Sequence, residues 1–143
     1  MATEAYLDWN ATAPLRPKAR EAIAVALDVT GNPSSVHAAG RAARRLVEEA
    51  REQVAVLAGV TARDVVFTSG GTEANMLALS PVLGDALLVS AIEHPSVLAG
   101  GRFAASEMQS VPVTAEGVVD LDALRSLVSS GPPALVSIML ANN

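Results

Sequence analysis

Val65-Val66-Phe67-Thr68-Ser69-Gly70-Gly71-Thr72-Glu73-Ala74-Asn75-Met76-Leu77-Ala78-Leu79 passes from a β-branched and aromatic run, through two glycines, into apolar residues at helical spacing. The first part predicts a buried strand. Ala74, Leu77 and Ala78 predict a helix after the turn. Strand, glycine turn and helix start together aim unpaired backbone N–H groups and the positive end of a helix dipole at one point. An anion, above all a phosphate, suits that point. Gly70 and Gly71 permit backbone angles and a close approach that a Cβ would forbid. Thr72 has two uses, capping the helix or placing its hydroxyl on a phosphate oxygen. The same spelling fits a plain strand-to-helix turn with a Thr72 cap, and the Glu73 charge opposes an anion unless it points away. Neither G-x-x-x-x-G-K-[ST] nor G-x-G-x-x-G is present, so the two commonest nucleotide loops are excluded.

Downstream, Ala86-Leu87-Leu88-Val89-Ser90 predicts a second strand, followed by the polar cluster Glu93-His94-Pro95-Ser96. Open α/β sheets keep their ligands just past the C-terminal ends of strands. Pro95 biases His94 towards an extended conformation; a plain loop histidine and a functional one are both open on these residues alone. A weak helix is expected from Ser96 to Met108, broken at Gly100-Gly101. A short strand follows over 110–113, and Pro112 suggests an edge or terminal position for it. Asp120 opens a further helix, and residues 134–140 form the last strand.

Upstream, Tyr6 to Pro14 reads as an extended lead-in, and Pro17 suits the first turn of a helix. Ala19, Ala22, Ile23, Ala26 and Leu27 give that helix an apolar stripe. Gly31-Asn32-Pro33-Ser34-Ser35 predicts a turn with a serine cap. Val36, Ala39, Ala43, Val47, Ala50, Val54 and Leu57 trace a long helix closed by Gly59. Its outer face offers Arg44–Glu48 and Arg45–Glu49 pairs at i, i+4. His37, near the start of that helix, reads as a capping or surface histidine.

The whole predicts an α/β fold with a mainly parallel, doubly wound sheet and flanking helices, because the strands are apolar throughout rather than alternating. At 143 residues, 50% hydrophobic and 3% aromatic, the chain has room for one core built of Ala, Val and Leu. A net charge of −5 with no basic block gives nucleic acid nothing to hold. There is no cysteine, which removes disulfide, metal-thiolate and thiol chemistry from these residues, and no metal site is expected. No signal peptide or membrane-length apolar run is seen, so a cytoplasmic protein off the membrane is expected. Lys18 is the only lysine and lies between Arg16 and Arg20 at a helix start, where a solvated surface role is expected. Stopping at the tip of a strand is unusual for an α/β chain, and a partial chain is the simplest expectation.

Five motifs occur together in order: Tyr6-Leu7-Asp8…Ala11-Thr12…Pro14, Gly31-Asn32-Pro33-Ser34-Ser35…His37, Phe67 to Asn75, Glu93-His94, and Val136-Ser137-Ile138-Met139…Asn142-Asn143. In this the chain resembles the N-terminal part of a cysteine desulfurase of the NifS/IscS type, a pyridoxal-phosphate enzyme of fold type I in the class V aminotransferase group. The resemblance covers essentially all 143 residues, but only the front portion of the family's longer chain. It implies an extended segment over 1–14 and an incomplete cofactor-binding large domain over 15–143. It implies that Gly71 and Thr72 hold the cofactor's phosphate. His94 matches the histidine that stacks on the pyridine ring and assists proton transfer, a catalytic role. Asn143 matches the asparagine near the cofactor's phenolic oxygen and the substrate carboxylate. The family usually has Asn where Met76 stands and a larger residue at Ala141.

The same resemblance places the Schiff-base lysine, the acid on the pyridine nitrogen and the nucleophilic cysteine beyond Asn143. The implied reaction is sulfur removal from L-cysteine, leaving L-alanine and an enzyme persulfide for transfer to acceptor or scaffold proteins, as in iron–sulfur cluster assembly. A homodimer is implied for the full-length protein, and inactivity for these residues alone. A selenocysteine lyase or other class V enzyme, a phosphate-binding module without chemistry, and an inactive truncated chain are the alternatives.

Overall fold

Short-range signals set most of the helices. The computed structural model describes residues 5–141, and Asn143 therefore lies outside the described residues. Pro17 opens helix α1, Pro17–Leu27, from its first position, where a missing N–H costs nothing. Lys18 is exposed in its first turn. Helix α2, Ala38–Ala58, starts at His37, whose Nδ1 accepts the Gly40 N–H at 3.3 Å, and stops at Gly59 in the left-handed conformation. The cap is thus the histidine rather than a serine; Asn32 instead accepts the Ser34 N–H and shapes the preceding turn. Along α2, Ala43 and Ala55 are buried and Val47 and Ala50 half-buried, while Val54 and Leu57 face out. Glu48 pairs with Arg51 at 3.1 Å, one residue short of the i, i+4 spacing expected for the outer face.

The chain divides into two compact units, the first ending at Phe67 and the second beginning at Thr68. In the first, the predicted strand at Val65 does not form. Val65 to Thr68 carry no ladder partner, and Val66 and Phe67 are 71% and 48% exposed. High β-propensity expresses itself as a strand only when a neighbouring backbone is there to pair. Arg51 holds this segment to α2 instead. It donates to the Val65 carbonyl at 2.5 Å and lies 5.0 Å from the centre of the Phe67 ring.

The second unit holds a three-stranded parallel sheet in the order β2-β1-β3: β1 is Ala86–Ser90, β2 Met108–Val111 and β3 Ala134–Ser137. Helices α3, Gly71–Ala78, α4, Pro95–Leu98, and α5, Leu121–Ser130, accompany it. The path from β1 to β2 moves one way across the sheet, and that from β2 to β3 returns past β1. Right-handed crossovers in opposite directions put their connections on opposite faces. The parallel α/β fold with flanking helices is as the sequence predicts, with three strands in place of four. Pro112 follows β2 directly, and β2 is an edge strand as expected. Asp120 caps α5, accepting the N–H groups of Asp122 and Ala123 at 3.0 and 2.9 Å.

The central strand β1 is buried at all five positions. Leu87 sits between Met108 and Leu135 of the flanking strands and packs with Leu79, Val89, Val97 and Phe103. Leu79 ends α3 and Val97 lies in α4, so both helices are fastened to β1 through this cluster. The helix expected as far as Met108 is cut to one turn by Gly100 and Gly101, at φ +83° and +61°. A Cβ on Gly101 would meet the Leu79 carbonyl oxygen at 2.4 Å, so the chain doubles back here only because the residue is glycine.

Candidate functional site

The turn at Thr68–Gly71 lies at the start of α3. Gly70 is the cap residue, with extended backbone at φ 167°, so the capping role considered for Thr72 falls to Gly70. Thr72 is the second helical residue, and its hydroxyl makes no hydrogen bond among the described residues. The Gly71 and Thr72 N–H groups, in the first turn, likewise have no protein acceptor there. Neither Gly70 nor Gly71 has a φ that demands glycine, and a Cβ on either meets nothing within 4 Å. The protein's own backbone therefore explains neither glycine. A Cβ at either position would project into open space, and beside it Gly71 and Thr72 offer two first-turn N–H groups and a hydroxyl. Met76 is half exposed.

The Glu73 carboxylate is taken up by the turn itself. Its Oε2 accepts the Ser69 N–H at 2.6 Å, which turns the carboxylate back to the segment before the helix. That backbone bond first, and the Ser69 side chain second, hold the Glu73 carboxyl below its ordinary value of 4.5. A depressed carboxyl stabilises the turn above its unfolded pKa, and this contribution is lost as pH falls through the folded value. We expect the Ser69 amide resonance to follow Glu73 protonation with a midpoint below 4.5. Glu73→Gln should flatten that response; an unchanged response in the variant would show that another group moves the amide.

His94 follows β1 in a loop and is extended at φ −60°, ψ 144°, as its place before Pro95 predicts. Its Nδ1 accepts the Ser96 N–H at 3.1 Å, so it caps α4, and it lies 2.7 Å from Ser96 Oγ. Asn75 Nδ2, on α3, donates to the same oxygen at 2.8 Å. Gly71, Thr72, Asn75, His94 and Ser96 together line one cleft of about 330 Å³. Three residues expected at a site, Gly71, Thr72 and His94, are thus brought together. Ser96 lies in the polar cluster expected near a ligand and Asn75 in the glycine-turn motif, but the sequence marks neither as a site residue, because they meet only through the packing of α3 on α4.

An aminotransferase class-V family model matches residues 5–143. The chain belongs to the class-V aminotransferase family. Enzymes of this class-V family work with pyridoxal phosphate. Among its class-V relatives, the cysteine desulfurase IscS of Dictyoglomus turgidum is 40% identical over 153 residues, spanning 100% of this chain and 39% of the relative. A cysteine desulfurase of Frankia sp. is 42% identical, over 96% of this chain and 37% of that protein. The crystal structure of a NifS-like protein from Rickettsia africae superposes with a TM-score of 0.82 at 36% identity, covering 96% of this chain and 39% of that one. The chain thus spans about two fifths of the length of these relatives. Among the described residues no helix is long and apolar enough to cross a membrane.

The class-V cleft fits the cofactor in kind. A phosphate would find the first-turn N–H groups and the Thr72 hydroxyl, with no carboxylate among the lining residues. A flat heteroaromatic ring would find the exposed imidazole of His94 on the same cleft.

Proposed function

We propose that this chain supplies the phosphate cradle and one ring neighbour of a pyridoxal-phosphate site in a cysteine desulfurase. The observation that carries the reading is the single cleft shared by the α3 N-terminus and His94. Gly71 and Thr72 bind the phosphate through their N–H groups and the Thr72 hydroxyl. His94 stacks on the pyridine ring and serves proton transfer. Asn143 lies near the phenolic oxygen and the substrate carboxylate. The cofactor, when bound, supplies an electron sink for charge developing on the substrate. Of the proposed partial domain over 15–143, the residues beyond Thr68 carry the described cleft, and 1–14 is the proposed lead-in.

The reaction proposed for the whole protein is sulfur removal from L-cysteine, leaving L-alanine and a persulfide passed to an acceptor or scaffold protein. The desulfurase names of the relatives favour it over a selenocysteine lyase. With no cysteine among these 143 residues, the persulfide is carried outside them, and the residues alone should not turn over cysteine. A homodimer, a cytoplasmic location and a part in iron–sulfur cluster assembly go with this reading.

Because His94 also caps α4, alanine there mixes two effects. Asparagine keeps a good cap and removes the ring. His94→Asn is therefore expected to leave thermal stability nearly unchanged and to weaken pyridoxal phosphate binding to the chain. The lost stacking is worth about 0.5–1.5 kcal/mol, roughly 2- to 12-fold in Kd. A variant that binds the cofactor as tightly as the parent chain would remove His94 from the site.

A further inference from the structure

The proton arrangement around His94 can be read from one contact and is reinforced by two more. The Ser96 backbone N–H can only donate, and it points at Nδ1 from 3.1 Å. Nδ1 therefore carries the lone pair, and a neutral ring must hold its proton on Nε2. Ser96 Oγ, 2.7 Å from the same lone pair, must then donate its hydroxyl proton to Nδ1. An oxygen that donates there is free to accept, and Asn75 Nδ2 donates to it at 2.8 Å. The bonds run in one direction, from Asn75 on α3 through Ser96 on α4 to the ring. Among the described residues Nε2 has no protein partner.

We propose that Asn75 and Ser96 are positioning residues that hold neutral His94 as its Nε2–H tautomer. The ring's remaining polar edge is then a hydrogen-bond donor, suited to an oxygen or sulfur acceptor in the cleft and not to service as a resting base. What that donor meets rests on the pyridoxal-phosphate reading; the tautomer itself does not. Coupling to α3 also ties the ring to the helix that bears the Thr72 cradle.

The test uses the 15N-labelled chain without cofactor, at about pH 8.5, above the ordinary histidine range. Long-range proton–nitrogen correlations of the two imidazoles distinguish the tautomers directly. His37, whose Nδ1 accepts a backbone N–H from Gly40, is the internal control and should stay Nε2–H throughout. His94 is expected to be Nε2–H in the parent chain. Ser96→Ala removes one neutral hydrogen bond and should move its tautomer ratio towards Nδ1–H by roughly 2- to 12-fold, and Ser96→Thr should restore it. Asn75→Asp should move the ratio the same way, because a carboxylate draws the Ser96 hydroxyl proton to itself. An Nδ1–H ring in the parent chain would overturn the proposal, even if every variant failed to fold. So would a ratio unchanged in folded Ser96→Ala and Asn75→Asp. Because no cofactor is present, failure of pyridoxal phosphate to bind is read in a separate titration and leaves this outcome untouched.

Discussion

Leu87→Ala is expected to destabilise the second unit by about 2–5 kcal/mol, the range for emptying a leucine site in a packed core. Leu87 is fully buried in the middle strand, with Leu79, Val97 and Phe103 around it. Little can move in to fill the space, because the neighbours on both sides belong to flanking strands held by ladder hydrogen bonds. A loss of this size rivals the whole stability of a small domain. The consequence reaches the cleft, since α3 and α4 are fastened to β1 through Leu79 and Val97. Urea unfolding followed by circular dichroism measures it. Leu140→Ala is the matched control: Leu140 is 101% exposed, and its loss should stay within about 0.5 kcal/mol. Equal effects at the two positions would mean that β1 is not the core strand.

Thr72→Val is expected to weaken pyridoxal phosphate binding by about 1.5–3 kcal/mol, roughly 10- to 150-fold in Kd. The substitution keeps the shape and removes one donor to a charged oxygen. Stability should hardly change, because Gly70 is the cap residue and the Thr72 hydroxyl has no protein partner among the described residues. Titration of the chain with pyridoxal phosphate, followed by the cofactor's absorbance, gives the ratio. Pyridoxal without its phosphate should bind parent and variant alike. If the variant lost both ligands equally, Thr72 would act on the ring or the fold rather than on the phosphate, and the cradle would have to be placed elsewhere.

The residues of this chain determined by themselves whatever depends on neighbours within about one helical turn. Pro17 starts α1, Asp120 caps α5 and Gly59 closes α2 because capping bonds and special backbone angles act over three or four positions. The apolar run of β1, its burial and the parallel fold class were equally legible, since an unbroken apolar strand has to be covered on both faces. So was the glycine turn with its helix N-terminus, and the placing of His94 just past a strand. Tertiary structure decided the rest. The Val65 segment has strand composition but no partner to pair with, so it stays an exposed extended run held by Arg51. Met108 joins β2 rather than a helix because Gly100 and Gly101 turn the chain back against Leu79. Glu73 bends to Ser69 and clears the cleft only once the turn exists to offer that N–H. Asn75 and Ser96, 21 positions apart, meet because α3 and α4 pack together, and a hydrogen bond of about 3 Å reach depends on that packing rather than on either residue's own spelling.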